Sequence, residues 1–181
     1  MRILVPIKRV PDPDHTVRVS DDEHGIDEAG VAFVMNPFDA IALEEALRIR
    51  EGLPEQTQIV AIGIGPDDYE DQLREALAMG ADRVVLVQCT EPLDPWNVAQ
   101  MLRAAIEREQ PDMVLMGKQA VDDDANQTGQ FLAALLDWPQ ATFASKVEFV
   151  EDRVPVARAT DGGIEVVVVP LPAVITTDHA V

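Results

Sequence analysis

The chain has 181 residues, 47% of them hydrophobic, and carries 14 Lys and Arg against 33 Asp and Glu, a formal net charge of −19. The apolar share excludes a disordered chain and the length allows one well-filled domain over residues 1–181. A polyanion this strong is repelled by nucleic-acid phosphates and by anionic lipid, so nucleic acid and membrane are not expected as partners.

The predicted elements come in a regular order. Residues 3–7 form a short apolar strand, and Pro11 and Pro13 then force a loop. Residues 16–20 and 29–34 alternate weakly and could pair as an antiparallel excursion. Asn36 is an N-cap and Pro37 the first helical position of a helix with the stripe Ile41, Ala42, Ala46, Leu47 and Ile49. That helix is expected to stop near Gly52 and Pro54. Residues 59–64 are a second buried strand, ending in Gly63-Ile64-Gly65-Pro66. A helix over 67–79 turns Leu73, Ala76 and Leu77 inward and is closed by Gly80. A third strand follows at 83–87, then a helix over 94–109 with Asp94 capping and Pro95 opening it. The fourth strand is 113–116 and the fourth helix 127–136.

Apolar strands alternating with helices predict an α/β fold, Rossmann-like, with a parallel sheet covered by helices on both faces and complete by Met116. After Trp138-Pro139 the pattern changes. Residues 143–150, 153–160, 164–169 and 173–176 are strand-like, with Asp161-Gly162-Gly163 as a hairpin turn. The expectation is a parallel core over about 1–140 and antiparallel strands over about 141–178.

Cys89 is the one cysteine, which forbids an internal disulfide and suits a reducing compartment, so a cytoplasmic chain is expected. No signal peptide is read, because residues 2–7 already form a core strand. The longest apolar stretch, 166–175, is too short to span a bilayer and is broken by Pro170 and Pro172. His15, His24 and His179 lack metal-ligand spacing, and Cys89 has no visible histidine partner. Nothing in the chain points to a catalytic residue.

The segment 117–129 carries the chemistry. It joins the apolar run 113–116 to a helix and has glycine at both ends, Gly117 and Gly129. Such junctions present free backbone N–H groups that bind phosphate. Asp122, Asp123 and Asp124 need not face a ligand, since an aspartate in the first turn can cap its own helix. Asn126, Gln127 and Thr128 offer neutral donors. An acidic, well-capped helix start is the alternative. Ligands of an open parallel sheet bind beyond its carboxyl edge, where the loops after Ile7, Ile64 and Met116 lie. Gly63 and Gly65 could let a flat ring reach the backbone, or could simply make a tight turn. Lys8 and Arg9 could face a phosphate or flavin, or be a solvated pair.

The run GKQAVDDDANQTGQ at 117–130, continued by Leu136-Asp137-Trp138-Pro139-Gln140-Ala141-Thr142-Phe143-Ala144-Ser145, closely resembles the β subunit of electron transfer flavoproteins. Residues 2–10, Met35-Asn36-Pro37-Phe38, 76–83, Asp161-Gly162-Gly163 and 171–176 match the same family in the same order. The resemblance implies an adenine-nucleotide α-hydrolase-like fold and an electron carrier rather than a catalyst. It implies AMP bound in this chain by Pro6, Asn36, Pro37, Phe38, Asp39, Ile64, Gly117, Lys118, Gln119, Ala120, Val121, Asp122, Asp123, Asp124, Ala125, Asn126, Gln127 and Thr128. FAD would be held mainly by an α subunit, with this chain closing one side and Phe38 approaching the ring. Flavin dehydrogenases such as acyl-CoA dehydrogenases would donate electrons.

Four departures accompany the match. Pro6 stands where a small residue is usual and lacks an N–H. Asp39 brings a carboxylate near the expected site. Residues 11–14 read Pro-Asp-Pro-Asp, without the aromatic often found there. The chain stops at Val181, where the family continues into a basic, proline-containing docking loop and a C-terminal arm. On that reading the chain alone is not expected to hold redox-active flavin. Two other readings are a stand-alone adenine-nucleotide-binding module and a bifurcating member with a second FAD in place of AMP.

Overall fold

The computed structural model describes residues 1–181 apart from 24, 54–55, 151–152 and 180–181. His24, Pro54 and Val181 therefore lie outside the described residues. The chain runs β1 (Arg2–Ile7), β2 (Arg9–Pro11), β3 (Phe33–Met35), α1 (Pro37–Gly52) and β4 (Gln58–Gly65). A short 3-10 turn (Asp67–Tyr69) leads into α2 (Glu70–Met79), followed by β5 (Arg83–Gln88), α3 (Pro95–Glu109), β6 (Met113–Gly117) and α4 (Thr128–Leu136). The remaining strands are β7 (Gln140–Val147), β8 (Val154–Thr160), β9 (Gly163–Val169) and β10 (Ala173–Thr177).

Period-two alternation decides which helix covers which face. Ile3, Val5, Ile59, Ala61, Met113, Leu115 and Ile175 point to one side, where Ala42, Leu43, Ala46 and Ile49 of α1 and Leu73 and Ala76 of α2 meet them. Leu4, Val60, Ile62, Val114, Met116 and Val174 point to the other, against Ala99, Leu102 and Ile106 of α3 and Leu132 and Ala133 of α4. Strands buried on both faces cannot alternate polar with apolar, which is why they read as unbroken apolar runs. Two helix signals act as expected: Asp94 accepts the Asn97 N–H at 2.7 Å, and Gly80 ends α2 at φ 128°. Leu77 of α2, expected to turn inward, is exposed instead.

Eight strands form one sheet in the order β5-β4-β1-β6-β10-β7-β8-β9. The sheet is not complete by Met116, as the sequence suggested. β10 inserts between β6 and β7, parallel to both. Within this sheet, among the described residues, only the β7–β8 and β8–β9 pairs are antiparallel. Every residue of β10 is buried, the pattern of a central parallel strand. Pro170 and Pro172, which lack the N–H that a tight hairpin ladder would use, fill the link that carries the chain back from β9.

The antiparallel excursion also differs from expectation. Arg9 pairs with Met35, Val10 with Val34 and Pro11 with Phe33, while residues 16–20 contribute only the bridge Val19–Ile26. Val10 is fully buried, whereas Val17 and Val19 are exposed, so the inner pair has a core to pack on and the outer stretch does not.

Candidate functional site

Strand order reverses at β1, with β4 on one side and β6 on the other. The β1–β6 ladder joins Ile3 to Met113 and Leu4 to Val114 and stops before Pro6, a residue with no N–H to donate. Beyond that point the side chain of Asp39, from the first turn of α1, ties the two strand ends together. Its Oδ2 accepts the Lys8 N–H at 2.9 Å and its Oδ1 accepts the Gly117 N–H at 3.1 Å. Asp39 is 6% exposed. Burial pushes its carboxyl up to about 7, against the lowering effect of the Lys8 N–H, the Asn36 side chain, the Gly117 N–H and the Lys8 charge.

A cleft of about 430 Å³ opens at this edge. Pro6, Asn36, Asp39 and Ile64 line it, as do Gly117, Lys118, Gln119, Ala120, Asp123, Ala125, Asn126, Gln127 and Thr128. The three loops named from the sequence do converge on one cleft. Pro37, Phe38, Val121, Asp122 and Asp124 do not line it. The stretch after β5 and the start of α3 complete the wall with Cys89, Leu93, Pro95, Val98 and Leu102. Sequence reasoning missed that side, although the loop after β5 leaves the same carboxyl edge as the three loops it counted. Tyr69 was also missed.

Asn36 sits at the N-cap position of α1 but makes no capping bond. Its side chain reaches across to the 117–128 loop instead. Nδ2 donates to the Gln119 carbonyl at 2.9 Å and Oδ1 accepts the Val121 N–H at 3.2 Å. The loop then turns on its own acidic residues. The Asp124 N–H donates to the Ala120 carbonyl at 2.9 Å, and Asp123 Oδ1 accepts the Ala125 N–H at 3.0 Å. Asp124 and Asn126 adopt φ of 48° and 50°, a left-handed conformation that Asp and Asn tolerate better than other side chains.

The aspartates do not cap α4, contrary to one reading of the sequence. Lys8 Nζ is held between Asp122 at 2.7 Å and Asp123 at 3.0 Å, and Asp124 accepts from the Gln119 side chain at 2.7 Å. Two carboxylates around one buried-stem lysine are satisfied by that charge, which removes the need for them to meet the helix. The N-cap residue of α4, Gln127, supplies no side-chain cap, so the helix start at Gln127 and Thr128 opens toward the cleft with its amide donors uncapped by a side chain.

The other cations near the cleft are also partnered. Arg9 meets Asp68 at 2.9 Å and lies 3.4 Å from the centre of the Phe33 ring. Lys118 meets Asp178 at 2.9 Å and stands 5.0 Å from the Phe38 ring and 5.2 Å from the Phe143 ring.

Two glycine readings change. A Cβ on Gly65 would lie 2.2 Å from Cε2 of Tyr69, and one on Gly63 would lie 3.0 Å from its Cδ1. The flat ring those glycines admit is the protein's own. A Cβ on Gly117 would lie 2.5 Å from Asp39 Oδ1 and 2.7 Å from Phe38 Cβ. Gly117 makes room for the start of α1. Phe38 is buried, with the His179 ring 4.9 Å from it centre to centre.

Residues 24–181 match the electron transfer flavoprotein domain. The chain is 48% identical over 178 residues to the electron transfer flavoprotein subunit beta of Dictyostelium discoideum, covering 98% of this chain and 71% of that protein. It is 53% identical over 182 residues to the mitochondrial subunit beta of Oryza sativa subsp. indica, covering 98% and 72%. It is 46% identical over 182 residues to the subunit beta of Homo sapiens, covering 98% and 71%.

Proposed function

The chain belongs to the electron transfer flavoprotein family, among its β subunits, and from that premise we propose that its cleft binds AMP while an α subunit holds most of the FAD. One observation carries the AMP reading. The 117–128 loop, pinned by the two bonds from Asn36, opens a helix start without a side-chain cap onto a cleft of about 430 Å³. Uncapped first-turn amides suit a phosphate. Ile64, Leu93, Val98 and Met116 offer an apolar wall for a flat base, and Asn126, Gln127 and Thr128 offer neutral polar groups. Since Lys8, Arg9 and Lys118 are already engaged, the anion is held by backbone donors more than by free cations.

FAD supplies the redox chemistry of the assembled protein when bound. The residues of this chain fit a supporting role toward it. Phe38 is turned into the fold beside His179, and residues 11–14 carry no aromatic. A flavin held mainly by the α subunit, with electrons arriving from dehydrogenases of the acyl-CoA type, fits that arrangement. The working place we propose is the cytoplasm. Cys89 has no cysteine partner, and among the described residues no helix is long and apolar enough to cross a membrane.

The test is to purify the chain without an α subunit, release its nucleotide by denaturation and identify it. AMP is the expected product. FAD in its place would favour a bifurcating member, and an AMP-loaded chain that never joins an α subunit would favour a stand-alone module. Asn36→Ala is expected to weaken AMP binding at least tenfold, about the effect of losing hydrogen bonds that order a loop. Unchanged affinity by calorimetry would refute the cleft. Gly117 is a poor probe, because any side chain there strikes Asp39 and Phe38 first.

A further inference from the structure

The carboxyl end of β4 has two sides, and Tyr69 fills one of them. Gly63 and Gly65 continue the alternation of Ile59 and Ala61, so they face the side where Leu73 of α2 packs. The Tyr69 ring occupies the space that side chains on these two glycines would take. Ile62 and Ile64 face the other side, with Leu102 of α3. The cleft reaches both sides. Ile62, Ile64, Val98, Leu102 and Met116 line it on the α3 side, and Tyr69 lines it on the α2 side.

Tyr69 is held where it stands. It ends the 3-10 turn Asp67–Tyr69, and its N–H donates to the Pro66 carbonyl at 3.1 Å. Asp68 beside it is tied to Arg9 at 2.9 Å, and Arg9 lies against the Phe33 ring. The turn is thereby fastened to the β2–β3 pair. The ring is half-buried. Burial raises the Tyr69 hydroxyl above its usual value, against the opposing effect of Lys8 and Arg9, so the ring meets a ligand as a neutral body. Over β1 the same edge is crossed by the Asp39 bridge and by Lys8 between Asp122 and Asp123. Those groups hold strand ends and loop together. Tyr69 differs from them: beneath its ring lie two glycines, which have no side chain to refill the space if the ring is lost.

We infer that Tyr69 sets the length of the ligand: its ring shuts the cleft over β4, so that the site takes a mononucleotide and rejects a dinucleotide such as FAD. The cleft of about 430 Å³ lies toward the lower end of the about 300–1,000 Å³ found for ligand pockets. An adenylate whose phosphate meets the helix start at Gln127 and Thr128, and whose base lies on Ile64 and Val98, uses the α3 side. The second half of a dinucleotide needs further room along the same edge. The α2 side, where bare glycine backbone would receive it, is taken by the phenol ring. A clash against the larger ligand discriminates without any added attraction to the smaller one. The inference rests on the nucleotide reading above and adds to it the residue that limits the ligand's size.

The experiment strips the full chain of nucleotide and measures its affinity for AMP by calorimetry and for FAD by flavin fluorescence. The parent should favour AMP by at least tenfold. Tyr69→Ala should raise the ratio of FAD affinity to AMP affinity at least tenfold. Tyr69→Phe, which keeps the ring, should hold the parent's ratio. Tyr69→Leu covers the glycines less completely than tyrosine and should move the ratio the same way by a smaller factor. It decides the matter if Tyr69→Ala fails to fold. Both affinities falling together in the Ala and Leu variants would overturn the inference, because the ring would then serve packing alone. A parent that binds FAD as tightly as AMP overturns it too. A parent that binds AMP, with variants that gain nothing toward FAD, overturns the inference and leaves the AMP reading standing. A parent that binds neither nucleotide overturns the AMP reading and the inference with it.

Discussion

The carboxyl edge around β1 and β6 and the β8–β9 hairpin are two ends of one sheet, and they treat polar and apolar groups in opposite ways. At β1 and β6 helices cover both faces, and a carboxylate, Asp39, is drawn into the interior to satisfy two strand-end amides. At the hairpin only one face is covered, and three branched apolar side chains stand in water. A small ligand is suited to the first environment, where the helix start at Gln127 and Thr128 leaves backbone donors without a side-chain cap. A protein partner is suited to the second, where area rather than direction is on offer. Cover on one or both faces of the sheet thus separates the two environments.

The largest expected effect tests the polar end. The carboxyl of Asp39 is raised from 3.8 to about 7, so the folded chain holds a proton there that the unfolded chain releases. Stability from this group is fully present below about pH 4 and is lost as pH rises toward about 7. Three pKa units correspond to about 4 kcal/mol. Unfolding measured from pH 4 to 8 should show the parent losing about that much relative to Asp39→Asn. Parallel curves would mean that the two N–H donors outweigh burial.

Next comes packing. Leu4 is fully buried beneath α3 and α4, and Leu4→Ala should cost about 3 kcal/mol in denaturant unfolding. Val166→Ala, on the open face, should cost about 0.5 kcal/mol or less. Similar losses at both positions would show that the hairpin face is covered even in the isolated chain. An effect between those two is expected at Asn36, which joins α1 to the 117–128 loop. Asn36→Ala should lose about 2 kcal/mol, because the Gln119 carbonyl and Val121 N–H are left partly buried. Faster hydrogen exchange confined to 117–128 would mark the loop as the part released.

Much of the covered end was legible in the sequence, because burial on both faces leaves apolar runs whose ends are marked by Asp94, Pro95 and Gly80. The convergence of three loops followed from the rule for parallel sheets. What escaped was non-local. That β10 belongs between β6 and β7 depends on partners 33 or more residues away in sequence, such as Ala141 for Ile175 and Leu115 for the same residue. Asn36 has the composition of a helix cap, and no local pattern says that its side chain crosses to a loop 83 residues on. Gly63 and Gly65 signal a missing side chain without revealing that Tyr69 fills the space. The aspartate run gave its acidity openly, but its partner Lys8 lies 114 residues earlier.

The late strand β10 has a consequence for how the protein is made. On one side of it stand β5, β4, β1 and β6, and on the other β7, β8 and β9. Both groups leave the ribosome before Ala173 does, each with a raw inner edge. The groove that becomes the cleft shares this delay: the Thr177 carbonyl accepts the Lys118 N–H, and the Thr177 hydroxyl reaches the Phe38 and Met116 carbonyls. Until those five residues emerge, a nascent chain exposes two half-sheets whose open edges can pair with the wrong neighbour. Protection by a chaperone, or slow elongation through 163–177, would matter most in that interval.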